Sequence, residues 1–516
     1  MAGAASAAGH REVAHRGMIT VSIMLATVMQ VLDTTIANVA LPHMQGSLSA
    51  AQDTITWVLT SYIVASAIMT PATGWIADRI GLKRLFLASV AGFTVTSMLC
   101  GLAGSLGQMV LFRILQGVFG AALVPLSQSV LLDINPKERH GSAMAMWGAG
   151  IMVGPIIGPT LGGWLTDTLD WRWVFYINLP VGMLAFAGIL AFLPESPTRR
   201  RGFDFFGFAM LSIAVGAFQL MLDRGEQRDW FGSTEILVEG ALALSAAWVF
   251  VIHTATAQES FLNPKLLRDR NFVLGIGFIF VIGIILLATM ALLPPMLQQL
   301  MGYPSITTGL VLAPRGVGTM ISMLVVGRLV QKVDARLLIL VGLALTAWSL
   351  QRMTGFDMTM DRMPIVVSGV IQGLGLGLVF VPLSTLAFAT LDPALRTDAA
   401  SLFSLMRNLG SSVGISMVST LLSQNTQVNH ASLAEHVTAT GRALEGIPIT
   451  QLGPGTAAAL SYLNAEVTRQ AAMIAYLDDF RLMMFVTLSA APLLLLLRRP
   501  KARPAVDDHA AAAAME

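Results

Sequence analysis

Ile114-Leu115-Gln116-Gly117 is followed by Pro125-Leu126-Ser127, Asn135-Pro136 and Arg139. The same order returns as Val370-Ile371-Gln372-Gly373, Pro382-Leu383-Ser384, Asp392-Pro393 and Arg396, at an offset of about 257 residues. Gly74-Trp75-Ile76-Ala77-Asp78-Arg79 is likewise echoed by Gly327-Arg328-Leu329-Val330-Gln331-Lys332. The chain therefore reads as two parallel halves. Their solvent follows from composition: 55% of the 516 residues are hydrophobic and 12% are charged, against about 25% charged in a soluble domain. Such a chain cannot cover itself with polar surface in water. In lipid only helices and closed barrels satisfy their own backbone, and the runs here are long, continuous and rich in Gly, Ala, Leu and Met, not short and alternating as in a barrel strand.

Breaks at charge clusters and turn residues place fourteen spans near 18–41, 54–76, 85–103, 107–131, 141–165, 173–193, 203–222, 236–253, 272–294, 306–327, 337–351, 363–391, 398–423 and 479–497. The expected fold class is an all-α integral membrane protein of two six-helix bundles plus two inserted helices. The segments are an N-terminus 1–17, a first bundle 18–193, a linker with the two extra helices 194–271, a second bundle 272–497 and a basic tail 498–516. Within the second bundle, residues 424–477 form a long polar loop, in which 458–476 has the spacing of an amphipathic helix; it is either a functional element or a passive tether. The first span carries Gln30, Asp33 and Asn38 and has no convincing cleavage site, so it reads as a retained helix and not a signal peptide.

Most of the 32 lysines and arginines fall in loops on one side, among them Arg79 to Arg84, Lys137 to Arg139, Arg199 to Arg201, Lys265 to Arg270 and Arg328 to Arg336. The positive-inside rule puts that side and both termini in the cytoplasm, and 424–477 outside it. The net charge of +2 gives no reason to expect nucleic acid. The single cysteine, Cys100, cannot form an internal disulfide, and no phosphate loop, metal cluster or nucleophile–base set accompanies it. Gly373-Leu374-Gly375-Leu376-Gly377 lies within a span with no strand before it, so it reads as helix packing and not as a dinucleotide site. Neither a cofactor nor an enzymatic role is expected.

Charges inside spans carry the chemistry, because ionisable groups in lipid are costly. Arg113 sits in the fourth span while its repeat counterpart is Gly369, so the repeat's packing does not demand the charge; the alternative is snorkelling to the interface. Asp33, in Leu32-Asp33-Thr34-Thr35-Ile36-Ala37-Asn38, falls at the depth of Arg113, and the two are expected to interact directly or through water. An acid whose proton affinity changes with conformation can carry a proton through a cycle, whereas a static pair is the plainer reading. Arg315 and Arg407 are further bases inside spans. Asp33 is the one acid placed well inside a core span, a balance that favours anionic or neutral apolar ligands over dications. Gln30, Thr34, Asn38, Gln116 and Gln372 are polar candidates for lining a cavity between the halves. Gly74, Asp78, Arg79, Gly81, Lys83 and Arg84 form a loop cluster that can latch two bundles in one state. Gly150, Gly154, Pro155, Gly158, Pro159, Gly162 and Gly163 make a smooth, bent helix face for close packing.

These strings resemble the major facilitator superfamily, specifically its fourteen-span drug:proton antiporter branch. Gly74 to Arg84 is similar to the loop motif of the superfamily, Arg113 to Gly117 to its fourth-span motif, Gly150 to Gly163 to the antiporter motif and Leu32 to Pro42 to the first-span motif of the branch. Trp171 to Gly182, Met221-Leu222-Asp223-Arg224-Gly225 and Asp229-Trp230-Phe231 look like its EmrB/FarB-like group. Leu82 stands where many relatives have a basic or polar residue. The resemblance implies a major facilitator fold and proton-driven multidrug efflux conferring antibiotic resistance, with Asp33 and Arg113 coupling protons. It also implies a bacterial inner membrane location and a tripartite pump with a periplasmic adaptor (EmrA-like) and an outer-membrane channel (TolC-like). Proton-coupled uptake is the alternative, against which the span-five glycines argue. A non-transporting membrane sensor or scaffold is a third reading, against which the retained buried charges argue.

Overall fold

A computed structural model describes residues 15–51, 54–198, 202–257, 260–437 and 457–496. Residues 1–14 of the N-terminus, the triple arginine at 199–201, residues 438–456 of the expected loop and the tail 498–516 lie outside the described residues. All regular structure among the described residues is helical. The first group of helices is α1 (Arg16–Ser47), α2 (Trp57–Met69), α3 (Ala72–Ile80), α4 (Leu82–Leu102), α5 (Leu106–Gly120), α6 (Leu123–Ile134), α7 (His140–Ile151), α8 (Val153–Thr168), α9 (Trp173–Tyr176) and α10 (Asn178–Phe192). Then come α11 (Phe205–Arg224), α12 (Thr234–Thr256) and α13 (Pro264–Arg268). The last group is α14 (Arg270–Pro295), α15 (Ser305–Leu329), α16 (Ala335–Met353), α17 (Arg362–Ala389), α18 (Arg396–Glu435) and α19 (Ala457–Ser489).

Among the described residues, 12 helical segments are long and apolar enough to cross a membrane. At the other two expected positions the chain is also helical, with features that shorten its helix or make it more polar. Thr70-Pro71 splits α2 from α3, since proline cannot donate the next helical hydrogen bond. α18 carries Arg407, Asn408, Ser411, Ser412 and Ser416 among its residues. Aspartates cap several helices: Asp204 accepts from Gly207 N at 2.8 Å and Asp269 from Phe272 N at 3.0 Å. At Asp204 burial works against ionisation, but the backbone N–H groups of Gly207 and Phe261 and the ring of His253 hold the carboxyl below its ordinary range.

Of the expected loop 424–477, the helical spacing read at 458–476 is part of a helix, and 424–435, expected as loop, is helical as well. α18 continues to Glu435 and α19 starts at Ala457, so two helices extend toward each other's ends, with His430 Nε2 3.1 Å from Asn464 Oδ1. Polar composition marked solvent exposure here, not loss of helical structure. The same extension corrects the reading of Asp33 as the one acid deep in a span. Asp479, expected at the start of the last span, lies well inside α19, is 1% exposed, and neither oxygen has a hydrogen-bond partner among the described residues.

The two groups repeat one packing plan. α5 lies between α2 and α4, as α17 lies between α15 and α16. On α1 the buried positions include Met29, Leu32, Asp33, Ile36 and Ala37; on α14 they are Ile285, Ala288, Thr289, Leu292 and Leu293, each 256 residues later. α7 and α8 run along α15, and α7 also meets α17, where Trp147 stacks on Phe380 with centroids 6.2 Å apart. At the end bearing the basic loops, the groups are tied by Arg396 Nη1 to Asp133 Oδ1 at 2.7 Å and by Ser129 with Thr397 at 2.8 Å. α11 touches both groups: Gln219 donates to Ser412 at 2.7 Å, and Thr60 of α2 hydrogen-bonds Asp223.

Candidate functional site

The residues that need explaining are Asp33 and Arg113, whose side chains are both wholly shielded from solvent. Asp33 lies at the middle of α1. The hydroxyls of its neighbours turn back onto their own helix, Thr34 donating to Val31 O and Thr35 to Leu32 O, each at 2.9 Å. α8 holds α1 close because its facing positions lack side chains. A Cβ on Gly154 would lie 2.8 Å from Val31 Cγ1 and 3.2 Å from Leu32 N, and one on Gly158 would lie 2.3 Å from Thr35 Oγ1. Gly150, Gly154, Gly158 and Gly162 thus pack against the helix that carries the acid, a Cβ on Gly163 would meet nothing within 4 Å, and Ile156 on that string meets α15 at Gly316. The break between α7 and α8 at Met152 follows from Pro155, which cannot donate to Ile151.

Arg113 projects from α5 into the space where α1, α2 and α10 meet. Its Nη1 donates to Asp33 Oδ2 at 2.7 Å and to Gln116 Oε1 at 2.7 Å, and its Nε donates to Val58 O at 3.0 Å. The guanidinium carbon lies 4.4 Å from the Tyr62 ring centre and 5.8 Å from that of Phe175. This geometry overturns snorkelling: the charge ends at a carboxylate inside the bundle. The other oxygen of Asp33 accepts twice, from Gln116 Nε2 at 3.0 Å and from Asn178 Nδ2 at 2.7 Å. Asn178 also donates to Ser97 Oγ at 2.9 Å, and Ser97 donates to Phe175 O at 2.9 Å. Arg113 Nη2 and Asn178 Oδ1 are buried with no partner among the described residues.

The arrangement is electrically neutral and directional. Three donors converge on one carboxylate. A proton on Oδ1, which already accepts twice, would displace Gln116 or Asn178, and a proton on either oxygen removes the negative charge that faces Arg113.

The other candidate residues are spread over the molecule. Gln116 is committed to the pair and fully buried, so it does not face an open cavity. Gln30 and Thr34 are half-buried, and Asn38 is exposed. Gln372 is buried and donates to Thr289 Oγ1 at 3.2 Å. Arg315, 7% exposed, donates to Leu286 O at 3.2 Å, and Arg407 is half-buried. In the loop cluster Gly81 has φ +94°, which only glycine adopts without strain, and Arg84 lies 3.9 Å from Glu195 at the surface. A Cβ on Gly74 would collide with Asp398 of α18, so this loop sits directly against the second group. Asn178 lies within the Trp171 to Gly182 string and is not among the candidate residues singled out from sequence. A lone amide in the apolar Tyr-Ile-Asn-Leu-Pro run was the signal that could have found it. Ser97 and the Val58 carbonyl give no comparable signal.

The sequence profile described as Major Facilitator Superfamily matches residues 23–415. The fatty acid resistance protein FarB of Neisseria gonorrhoeae is 37% identical over 465 residues, covering 88% of this chain and 91% of that protein. The multidrug export protein EmrB of Escherichia coli K12 is 35% identical over 476 residues, 90% of this chain and 91% of that protein. Among solved structures, the human organic anion transporter MFSD10 superposes with a TM-score of 0.56 at 14% identity, covering 91% of this chain and 99% of that one. The proton:xylose symporter XylE gives 0.57 at 15% identity, covering 93% and 99%. At those identities the structures speak for the fold alone.

Proposed function

Since this chain belongs to the major facilitator superfamily, and is accordingly a membrane transporter and not an enzyme, we propose that it is a proton-driven antiporter that exports hydrophobic and amphipathic toxic compounds. The observation that carries this reading is the carboxylate of Asp33, sealed in the bundle and held by Arg113, Gln116 and Asn178. In the cycle, a proton reaching Asp33 releases Arg113 and loosens α1 from α5 and α10. Loss of the proton to the other side restores the three bonds. Because α8 packs on α1 with one face and on α15 with the other, a shift of α1 is passed to the interface between the halves. Gln30, Thr34, Asn38, Gln372, Arg315 and Arg407 are the side chains proposed to meet the substrate.

The full proposal has fourteen spans, counting α2 with α3 and α18 alongside the 12 segments above, with α11 and α12 as an inserted pair. Both termini lie in the cytoplasm of a bacterium, and the membrane is the inner one. The relatives' names, multidrug export and fatty acid resistance, support the substrate range. A periplasmic adaptor and an outer-membrane channel complete the pump, the adaptor meeting the helical extension of α18 and α19. The test is made in inverted vesicles: substrate-induced proton release should vanish in Asp33→Asn while the protein still inserts. Unchanged release would remove Asp33 from the mechanism.

A further inference from the structure

The second half contains a copy of the Asp33 site, rebuilt without its acid. The register comes from backbone contacts. A Cβ on Gly117 would press on Tyr62 O at 2.5 Å and Ser66 N at 3.2 Å; one on Gly373, 256 residues later, would press on Arg315 O at 2.1 Å and Thr319 N at 2.9 Å. Arg315 therefore occupies in α15 the place that Tyr62 holds in α2. By the matching buried faces of α1 and α14, Thr289 occupies the place of Asp33. Gln372 occupies that of Gln116, and the hydrogen bond between the paired positions persists: 3.0 Å from Gln116 to Asp33, 3.2 Å from Gln372 to Thr289.

Two substitutions distinguish the copies. The arginine has moved from the fourth helix of the repeat to the second: Arg113 becomes Gly369, and Arg315 lies beside that glycine, whose Cβ would sit 3.4 Å from Arg315 Cβ. The carboxylate has become a hydroxyl, which donates to Ile285 O at 2.8 Å. Arg113 is met by a carboxylate, a carbonyl, an amide and a tyrosine ring. Arg315 is 7% exposed and meets one carbonyl, Leu286 O, with no carboxylate partner among the described residues. Gln372 Oε1 is also buried without a partner among the described residues. A guanidinium so placed lacks the counter-charge that lipid-embedded arginines find in acids or several carbonyls.

We propose that the cluster of Arg315, Gln372 and Thr289, where α14, α15 and α17 meet, is a binding site for the carboxylate of an amphipathic acid, which takes the position relative to Arg315 that Asp33 takes relative to Arg113. This deepens the transport reading above and rests on it, naming the substrate class as organic acids with an apolar tail. The acid's two oxygens receive the guanidinium N–H groups, and the tail lies along apolar α14. The first half then answers to the proton and the second to the anion, through two versions of one architecture.

The test uses the full-length protein in zwitterionic-lipid nanodiscs, with equilibrium binding of decanoate and of its uncharged isostere decanamide. The wild type should prefer decanoate. Arg315→Gln should weaken decanoate binding about tenfold to a hundredfold, the range of a lost charge-assisted hydrogen bond, and leave decanamide unchanged. Arg315→Lys should retain part of the preference. Thr289→Asp leaves the arginine and its packing intact but supplies an internal anion, and should abolish the preference as fully as Arg315→Gln; it keeps the test decisive if Arg315→Gln does not fold. Equal loss of both ligands, or a decanoate preference that survives Thr289→Asp, overturns the assignment. Proton release in vesicles separates the two readings. A preference that follows Arg315 without any decanoate-driven proton flux sinks the antiport reading and keeps the site. Flux that depends on Asp33 with a preference indifferent to Arg315 does the reverse.

Discussion

Replacing Asp33 by Asn changes one atom type and removes one charge, so the structure gives its cost with few assumptions. The amide oxygen can keep the two bonds from Gln116 and Asn178, at 3.0 and 2.7 Å. The amide nitrogen then faces Arg113 Nη1, donor against donor, across 2.7 Å. Arg113 retains Val58 O, Gln116 Oε1 and the Tyr62 ring but loses the one carboxylate it meets among the described residues. Breaking a buried pair by removing one partner costs about 3–5 kcal/mol, mostly because the other charge stays behind. Arg113→Gln alone leaves Asp33 in the matching position. Removing both charges together leaves neither orphaned, so the Asp33→Asn/Arg113→Gln protein should be more stable than the sum of the single losses by about 2–3 kcal/mol. Thermal or denaturant unfolding of purified wild type, two singles and the double in one detergent measures this coupling. Additive losses would show that the pair is not the closed electrostatic unit described above, and that the bonds to Asn178 and Val58 carry the site instead.

Three other outcomes follow from the geometry. Gly117→Ala places a methyl against the Tyr62 carbonyl at 2.5 Å, where backbone cannot yield cheaply; it should lower stability by about 1–3 kcal/mol in the same unfolding assay, and Gly107→Ala, where nothing lies within 4 Å, should not. Asp133→Asn or Arg396→Gln breaks the tie between α6 and α18, and should raise the labelling rate of a cysteine placed at Ser129 several-fold, with the exchanged pair Asp133→Arg/Arg396→Asp restoring protection. The orientation is checked by impermeant thiol reagents on intact cells: a cysteine at Asp357 should react and one at Arg268 should not, since the two loops are on opposite sides of the proposed topology.

The fold was legible in the sequence wherever apolar length set the structure. The repeat of Gln116-Gly117 as Gln372-Gly373 is seen again in three dimensions as one backbone approach made twice. The meeting of Asp33 and Arg113 could be argued because both are charges at one depth with few other partners in lipid. Asn178 could not be argued in the same way, because an uncharged amide costs little enough to sit in a span for many reasons, and its contact with Asp33 depends on where α10 begins. The helical spacing of 458–476 is visible in the sequence and is part of α19, whereas the extension of α18 beyond residue 423 is not, for a related cause. Hydropathy registers polarity and not backbone preference, and Gln424 to Glu435 is polar yet contains nothing that breaks a helix. The acid-free copy around Arg315 was hidden because the arginine changed helices between repeats, so an alignment pairs Arg113 with a glycine.

α18 begins at Arg396, against Asp133 and the Gly74 loop, and continues unbroken for 40 residues to Glu435. At about 1.5 Å per residue it is a rod of roughly 60 Å, about twice the thickness of the hydrocarbon layer. A rod pinned at one end is a lever. A tilt of roughly 10° about the Arg396 end swings its tip by about 10 Å, several times the displacement at mid-membrane where Arg407 sits. In the proposed cycle, a small displacement of α18 beside Asp133 and the Gly74 loop would reach its far tip enlarged, so length alone makes this helix an amplifier.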